Sequence, residues 1–338
     1  MKDTDKVLLA HGGGGGLSYQ LIKDLILPAF EQHPILKELD DAARVSVKNG
    51  RLAFSTDSFV VKPMFFPGGD IGKLALCGTI NDLAMVGAKP MYISVAFIIE
   101  EGLSLKTLGK VIESMEKVAR LTGVQVVTGD TKVVEKGSLD QLFINTAGIG
   151  SIDDDLDISS SNAKVGDNII MSGTIGDHGI AVLSQREGFE FQGNLLSDCA
   201  PLNHLVSRMT EKTKNIHVLR DPTRGGVASA LNEIALQSGV EILLKEAKIP
   251  IKEEVRAACE MLGLDPLHIP SEGRLVAFVS EEDAGSVIET MREDPLGKDA
   301  SIVGQVVSQG NSRVLLETII GAKRILTLPK GELLPRIC

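Results

Sequence analysis

The sequence predicts an α+β protein of two domains, because strand and helix patterns mix along the chain without strict βαβ alternation. The chain has 338 residues. At roughly 150 residues per domain this length suits two domains and allows each to bury a real core. No period of about 20 to 50 residues repeats, which excludes a solenoid.

Charge and composition exclude several classes of function. Lys and Arg number 35 and Asp and Glu number 45, so the formal net charge is −10, and no segment is basic. Binding to nucleic acid or to a membrane surface requires clustered basic residues, so we expect neither partner. No apolar stretch approaches the roughly 20 residues of a membrane span, and the acidic start is unlike a secretory signal. We predict a cytoplasmic protein.

The first half shows both strand and helix periodicity. Residues 45–56 alternate apolar and polar around Asn49 and Gly50, which predicts a hairpin with a type I′ turn at that dipeptide. Residues 71–86 follow the helical period and are apolar on most of the circumference, so this helix should be largely buried. The remaining elements expected here are strands at 7–10, 91–99, 124–127 and 142–152, and helices at 17–27 and 104–122.

The second half repeats this mixture after a polar, turn-rich stretch at residues 153–162, where we place the domain boundary. Strands are expected at 168–172, 240–244, 274–280, 301–307 and 313–317, and helices at 179–187, 202–213, 226–238, 253–262 and 282–292. The predicted organisation is a glycine-rich segment and helix at 1–42, α+β domains at 43–152 and 153–328, and a mobile, extended tail at 329–338.

A glycine run follows His11 near the start of the chain. Gly12, Gly13, Gly14, Gly15 and Gly16 expose backbone N–H groups in front of a helix, an arrangement that can wrap an anion. The run is neither a Walker A loop nor a Gly-x-Gly-x-x-Gly motif. A flexible terminal linker is the alternative interpretation.

Four aspartates lie at predicted strand ends and helix starts or on the buried helix: Asp57, Asp82, Asp130 and Asp221. A buried carboxylate is costly unless it is paired, protonated or metal-bound, so Asp82 should have a cation partner. Carboxylates in such places can converge on Mg²⁺, but sequence separation does not show that they do. A helix cap, turn residues and a buried salt bridge are the alternatives.

Three further side chains are candidates for proton transfer or substrate contact. His178 and Glu272 lie in glycine-flanked turns, where either could transfer protons. Lys132 follows Asp130 and could contact phosphate or polarise a carbonyl. Each is otherwise a solvated surface residue.

The cysteines point away from a zinc site or a disulfide framework, because they are far apart and form no Cys-x-x-Cys motif. We expect Cys77, Cys199 and Cys259 to pack as small hydrophobic residues. Cys338 is the last residue of a proline-punctuated tail, whose nine steps from Pro329 can span about 30 Å. The tail could therefore carry a thiol between sites, or Cys338 could be incidental.

Taken together, these segments resemble the aminoimidazole ribonucleotide synthetase (PurM-like) superfamily of ATP-dependent enzymes, and within it a hydrogenase maturation family of carbamoyl dehydratases. The resemblance covers nearly the whole chain in order. The final Pro335-Arg336-Ile337-Cys338 singles out the maturation family. The other segments that carry it are the glycine run, Ser55-Thr56-Asp57-Ser58, Gly69-Asp70-Ile71-Gly72, Asn81-Asp82-Leu83-Ala84, Thr128-Gly129-Asp130-Thr131-Lys132, Gly176-Asp177-His178-Gly179, Asp221-Pro222-Thr223-Arg224-Gly225-Gly226 and Pro270-Ser271-Glu272-Gly273.

The resemblance implies a homodimer that binds ATP and Mg²⁺. It implies that Asp57, Asp82, Asp130 and Asp221 are Mg²⁺ ligands, and that the glycine run, Asp70 and Gly129 contact the nucleotide. In the implied reaction, Cys338 receives a carbamoyl group from the carbamoyltransferase HypF, and ATP-dependent dehydration converts it to an S-cyanate.

The product would reach the iron carried by the HypC–HypD scaffold complex. Glu272 is implied as the proton acceptor, with Lys132 near the carboxamide and His178 as a weaker candidate. The alternatives are a small-molecule synthetase or kinase of the same superfamily and a non-enzymatic thiol carrier.

Overall fold

The structure, a computed structural model, describes residues 7–29, 35, 38–48, 50–188, 195–329 and 334–338. Two large sheets, each covered by helices, give the α+β architecture that the sequence predicts. No helix within these ranges is long and apolar enough to cross a membrane. Cys77, Cys199 and Cys259 are buried and unbridged, as expected.

The first sheet has the strand order β1-β2-β7-β5-β6. Neighbouring strands in this sheet are antiparallel, except for the parallel pair β5 and β6. A separate ladder joins the short strands β3 and β4. The strands of this half are β1 (Ala43–Val47), β2 (Gly50–Phe59), β3 (Phe65–Phe66), β4 (Gly69–Asp70), β5 (Ala88–Glu100), β6 (Gln125–Val134) and β7 (Leu142–Ile152).

The helix predicted to be buried does form the centre of the molecule. Helix α3 packs on the inner face of the first sheet, and its last turn contacts the second half of the chain, where Ala84 and Met85 join a cluster with Leu202. A helix that is apolar around its circumference needs such cover on every side. The helices of this half are α1 (Gly16–Leu21), α2 (Leu27–Ala29), α3 (Ile71–Met85) and α4 (Leu105–Thr122), with a π-helical segment at Ile22–Ile26.

The second sheet has seven strands in the order β14-β13-β10-β12-β8-β11-β9, mixed because β10 and β13 are parallel. Helix α7 packs on one face, and α6 and α9 pack on the other. The elements are β8 (Asn168–Met171), α5 (Asp177–Glu187), α6 (Asn203–Lys212), β9 (Ile216–Arg220), α7 (Gly226–Ser238), β10 (Val240–Lys245), α8 (Glu253–Leu262), β11 (Val276–Val279), α9 (Glu281–Arg292), β12 (Ser301–Gln309), β13 (Arg313–Glu317) and β14 (Lys323–Leu326).

Two predictions near the start of the chain are wrong. No strand forms at 7–10: Leu9–His11 is a 3-10 turn, in which the His11 imidazole accepts the Leu8 amide at 2.9 Å, so that amide needs no strand partner. The predicted hairpin is present, but Val47 pairs with Gly50. Its loop is therefore residues 48–49, one residue earlier than predicted, and Asn49 lies outside the described residues.

Strand β6 is longer than predicted, because Gly129 and Asp130 continue it instead of forming a turn. A Cβ on Gly129 would lie 2.2 Å from the Val95 carbonyl oxygen, so glycine permits the close approach of β5. Strands β9 and β14 were not predicted. Both are short, and charged side chains interrupt their apolar pattern.

Candidate active site

Two glycine-containing loops meet at the entrance of a cavity. Gly14 has φ +69°, and a Cβ there would lie 2.7 Å from the Arg224 carbonyl oxygen. A Cβ on Gly15 would lie 2.6 Å from the carbonyl oxygen of Pro329. Glycine is therefore required for the N-terminal loop to pack against the loop before α7 and the start of the tail.

Three of the four predicted aspartates line this cavity of about 390 Å³, which we call the carboxylate cavity. Asp57 lies on β2, Asp82 on α3, and Asp221 directly after β9. Gly12, Gly14 and Gly15 close another side. Asp57 was expected just after its strand, but β2 continues to Phe59, so Asp57 points inward from within the strand. The fold thus brings these carboxylates and the glycine loop together.

The carboxylates raise each other's pKa values. Burial raises the pKa of Asp221 to about 6, although Arg220 opposes this rise. Burial and the neighbouring Asp221 and Asp57 raise the pKa of Asp82 well above its usual range, although Ser55 donates a hydrogen bond to it at 2.7 Å. Two arginines line the cavity among the described residues: Arg220 pairs with Asp41 and Glu233 at 2.8 and 2.7 Å, and Arg224 lies 4.0 Å from Asp57. Their charges do not neutralise all the carboxylates around them.

These carboxylates suit a divalent cation. The Oδ2 atom of Asp221 is buried and has no hydrogen-bond partner among the residues that the structure describes. Carboxylate oxygens are the ligands that Mg²⁺ prefers. Among the described residues, however, no group of three or more His, Cys, Asp or Glu side chains is close enough to hold a metal ion. The oxygen chemistry of Asp57, Asp82 and Asp221 suits Mg²⁺, but their side chains alone do not form a complete binding site.

Asp130, Lys132 and Gly129 are not in the carboxylate cavity. The register places Gly129 level with Asp57 but three strands away across the sheet, roughly 14 Å. Asp130 and Lys132 lie on the opposite, outer face, where they form an exposed ion pair at 2.8 Å. One chain therefore does not bring Asp130 to the other three aspartates.

Asp70 and the remaining glycines have local roles in the structure. Asp70 caps α3, because its carboxylate accepts hydrogen bonds from the Gly72 and Lys73 amides at 2.7 and 3.1 Å, and it lines neither of the two cavities described here. Gly16 begins α1, and a Cβ there would contact nothing within 4 Å. Gly13 lines a second cavity, described next.

The end of the tail lies in a second cavity of about 200 Å³, which we call the tail cavity. Cys338 lines it, and Gly12 and Arg224 line both cavities. The Val60 amide donates to the Cys338 carbonyl oxygen and the Lys62 amide to the Arg336 carbonyl oxygen, each at 3.1 Å. The last residue therefore lies beside the segment that follows Asp57 in the chain.

The tail is held by side chains as well as by backbone. Arg186 donates to the Pro335 and Arg336 carbonyl oxygens at 2.6 and 2.7 Å. Arg336, whose φ is +53°, binds Asp140 at 2.6 Å. The sequence predicts an extended, mobile tail, but residues 334–338 are docked and turned.

Glu272 is buried next to the carboxylate cavity and lines neither cavity. Its amide donates to Asp198 Oδ1 at 3.1 Å, and Asn81, the neighbour of Asp82, donates to its carbonyl oxygen at 3.4 Å. Its Oε1 atom has no hydrogen-bond partner within the described part of the chain. Burial raises the pKa of Glu272 well above the usual range. The expectation of a solvated turn residue is wrong.

His178 is also fully buried, in the first turn of α5 instead of a loop. Its Nδ1 lies 2.8 Å from Ser197 Oγ, and its Nε2 lies 2.8 Å from the Ile337 carbonyl oxygen. Burial lowers the pKa of His178 to about 4. The neutral imidazole of His178 is therefore hydrogen-bonded to the backbone of the tail.

Arg224, Arg186 and Asn81 contact the site or the tail, although the sequence alone predicts no role for them. Arg224 and Asn81 lie in the motifs that contain Asp221 and Asp82. An arginine or an amide next to an aspartate in such a motif indicates a residue that balances the charge of the carboxylate or positions its neighbours. Arg186 carries no such signal, because its contacts to the tail depend on the tertiary fold.

Family models match both halves of the chain. The N-terminal domain of AIR synthase related proteins matches residues 39–152, and the C-terminal domain of the same proteins matches residues 164–317.

Individual proteins are similar over nearly the full length. Carbamoyl dehydratase HypE of Bradyrhizobium diazoefficiens is 49% identical over 331 residues, which cover 98% of this chain and 95% of the relative. A solved HypE–HypF complex has a TM-score of 0.87 at 48% identity, covering 91% of this chain and 99% of that one. HypE solved in complex with ATP has a TM-score of 0.83 at 48% identity, covering 98% and 100%. The chain belongs to the HypE carbamoyl dehydratase family of AIR synthase related proteins.

Proposed function

We propose that this chain dehydrates a carbamoyl group carried on Cys338 and so supplies the cyanide ligand of the [NiFe]-hydrogenase iron centre. The S-carboxamide and ATP become an S-cyanate, ADP and phosphate. The γ-phosphoryl group is transferred to the amide oxygen, the nitrogen loses its two protons, and the C–O bond breaks as phosphate leaves. Phosphorylation is needed because hydroxide is a poor leaving group.

The docked tail is the observation that carries this proposal. Cys338 lies in the tail cavity, which shares Gly12 and Arg224 with the carboxylate cavity. The interaction with Cys338 is the largest influence that raises the pKa of Arg224, and Asp57 and Glu272 raise it further. A group on Cys338 would therefore lie within reach of the groups that suit a triphosphate and a base.

Glu272 is proposed as the proton acceptor. A carboxylate whose pKa burial has raised is a stronger base when ionised, and it is closer to the pKa suited to proton transfer near neutral pH. Its unpartnered Oε1 leaves an acceptor position open. The Asp198 and Asn81 hydrogen bonds fix the backbone from which the carboxyl group extends.

ATP is proposed to bind in the carboxylate cavity, with its phosphates against the glycine loop and Asp57, Asp82 and Asp221 holding Mg²⁺. The metal, when bound, neutralises charge on the transferred phosphoryl group. Backbone N–H groups of the loop add to this, which lets an acidic protein bind a triphosphate.

A homodimer is proposed because the outer face of the first sheet is apolar and exposed. Phe54, Ile149 and Tyr92 lie side by side in register across three strands, at 47%, 37% and 44% exposure. The edge strand β6 is exposed along nearly its whole length. Exposed apolar patches and unpaired edges of this kind are typical of interfaces. A second copy is the proposed partner.

The dimer would also give Asp130 and Lys132 a role. Both lie on this outer face, away from the carboxylate cavity of their own chain. We propose that they act at the site of the other copy, with Asp130 as a Mg²⁺ ligand and Lys132 near the carboxamide.

HypF is proposed as the donor of the carbamoyl group, since the HypE–HypF complex is a solved structure of close similarity. The HypC–HypD scaffold complex is proposed as the acceptor, and a cytoplasmic location is proposed with these partners. The tail would leave its cavity to meet both proteins, and nucleotide would favour its return.

The test is the mass of the C-terminal peptide after carbamoylated protein is incubated with MgATP. We expect the peptide to lose one water while ADP and phosphate appear, and Cys338→Ser to abolish both. A peptide that keeps the carboxamide would identify a thiol carrier. Turnover of a free small molecule by Cys338→Ser would identify a synthetase or kinase.

A further inference from the structure

His178 is held on both sides by hydrogen bonds. Its imidazole is fully buried and meets the Phe66 ring edge-on at 5.3 Å between centroids. Because the Ile337 carbonyl oxygen only accepts hydrogen bonds, Nε2 of His178 carries the hydrogen. Nδ1 then accepts from the Ser197 hydroxyl. Both ring nitrogens are thus engaged in hydrogen bonds within the folded protein.

This arrangement argues against a role for His178 in taking a proton from the substrate. The Nε2 atom already bears a proton and is bound to the tail, and Nδ1 faces Ser197. Burial also lowers the pKa of His178 to about 4, so the ring is a weak base. The neutral ring can still donate its Nε2–H to the Ile337 carbonyl oxygen.

Ser197 connects the imidazole to the surroundings of Glu272. Residues 195–200 form a segment without helix or strand, which we call the Ser197 loop. Ser197 Oγ accepts from the Cys199 amide at 3.1 Å, and the next residue, Asp198, accepts from the Glu272 amide at 3.1 Å. The Ala200 amide donates to the Glu272 carbonyl oxygen at 3.4 Å.

The tail lies at the other end of the same chain of contacts. Ile337 directly precedes Cys338, and its side chain is only 2% exposed. The backbone carbonyl between these two residues is the atom that His178 holds. A change in the imidazole would therefore shift the residue that bears the thiol.

We propose that His178 is a positioning residue: its Nε2–H seats the Ile337 carbonyl while Ser197 sets the ring, so that Cys338 and the loop around Glu272 are placed together. This rests on the proposed function, since it assumes that the reacting group is on Cys338. His178 itself touches neither ATP nor the carboxamide.

Two substitutions at His178 separate this role from simple packing. His178→Gln keeps an N–H donor near the Nε2 position, whereas His178→Leu keeps apolar volume and removes the donor. His204→Leu is the matched control, because His204 Nε2 also contacts a carbonyl oxygen, that of Leu121 at 3.2 Å, but lies at an exposed position outside both cavities.

The full-length carbamoylated variants are compared in single turnovers with MgATP, with the KM for ATP and the alkylation rate of uncarbamoylated Cys338 measured alongside. We expect His178→Leu to slow dehydration and to speed alkylation, each roughly tenfold, the size of one buried hydrogen bond. The KM for ATP should not change. His178→Gln and His204→Leu should behave like the unchanged chain.

Equal rates in His178→Leu and the unchanged chain would overturn the proposal, and so would a His178→Gln variant as slow as His178→Leu. If His178→Leu does not fold, Ser197→Ala provides the test, with slower dehydration and faster alkylation expected and unchanged rates contradicting it. If the unchanged chain fails to dehydrate its carboxamide, the proposed function is wrong, while alkylation still decides whether His178 seats the tail.

Discussion

Two carboxyl oxygens at the site, Glu272 Oε1 and Asp221 Oδ2, are buried without a hydrogen-bond partner. Such atoms reduce the stability of the folded protein, because they lose water and gain nothing in exchange. Stability alone would favour neutral or apolar residues at both positions. Their presence is understandable if each carboxyl group gains a partner when substrates bind, a substrate proton for Glu272 and a cation for Asp221.

Glu272→Gln is expected to lower the rate of dehydration by roughly 10²- to 10⁴-fold, the usual contribution of a positioned base. Glutamine fills the same volume but does not accept a proton. Single-turnover dehydration and ATP affinity are the measurements. ATP affinity should be retained, and undiminished formation of the S-cyanate would remove Glu272 from the mechanism.

The stability of the metal-free protein should depend on pH through Asp221. Its folded-state pKa, raised by burial, is about 6, whereas an unfolded aspartate titrates near ~3.9. The folded state therefore binds the proton more tightly, and this stabilisation is complete below about pH 4 and lost as the pH rises through about 6.

Compared with Asp221→Asn, the unchanged chain should lose up to about 3 kcal/mol of unfolding free energy across this pH window. Urea denaturation in the presence of a chelator measures the difference. Parallel pH curves for the two proteins would show that Asp221 keeps an ordinary pKa.

At the scale of elements, the glycine loop depends on only some of its glycines. Gly14 and Gly15 pack directly against carbonyl oxygens of other segments, whereas Gly16 faces open space at the start of α1. The run of five glycines therefore combines close contacts at its third and fourth positions with a helix start at its fifth.

Gly14→Ala is expected to weaken ATP binding, because the new Cβ would push the loop away from Arg224 and a positive φ costs alanine about 1–2 kcal/mol. Gly16→Ala should bind ATP normally. Calorimetric titration of both variants with MgATP tests this. Equal affinities would mean that the loop does not contact the nucleotide.

Elements whose sequence signals are local were predicted correctly, whereas features that depend on contacts between distant residues were not. Helices α3, α4, α7 and α8 follow from their apolar period and glycine stops. The predicted strand at 124–127 ended too early, because Gly129 and Asp130 suggest a turn. Strand β6 continues because Gly129 allows the Val95 carbonyl oxygen of β5 to approach closely. The docked tail was missed because its anchors, Arg186 and Asp140, lie far away in sequence.

At the scale of the whole molecule, the same reasoning applies to the site. The sequence patterns left open whether Asp57, Asp82 and Asp221 converge, and only the family resemblance implied it. They line one cavity because Asp82 lies on α3, Asp57 lies on β2, which packs against α3, and Asp221 directly follows β9, which also contacts α3. The position of Asp130 depended on strand order, which no single-sequence pattern reveals. In this order, β6 is an edge strand three positions from β2.

A mixture of two inactive variants should regain activity if Asp130 serves the other copy. Asp57→Asn and Asp130→Asn should each abolish dehydration alone. In a mixed dimer, one site would combine the intact Asp57 of one chain with the intact Asp130 of the other.

Dehydration assays after the two variants are mixed and allowed to exchange chains test this, with Asp57→Asn mixed with Asp82→Asn as the control that should stay inactive. No recovery in a mixture shown by mass to contain mixed dimers would contradict the shared site.

The tail also contributes to the interior: Leu334 and Ile337 belong to the hydrophobic cluster that joins α3 of the first half to α5 and α8 of the second. Departure of the tail, as proposed above, would leave an apolar cavity beside α3, α5 and α8. Burying one such side chain is worth about 1.5–3 kcal/mol, so two make departure unfavourable by several kcal/mol. Under the proposed function, a partner that binds Leu334 and Ile337 in an apolar groove would offset this cost.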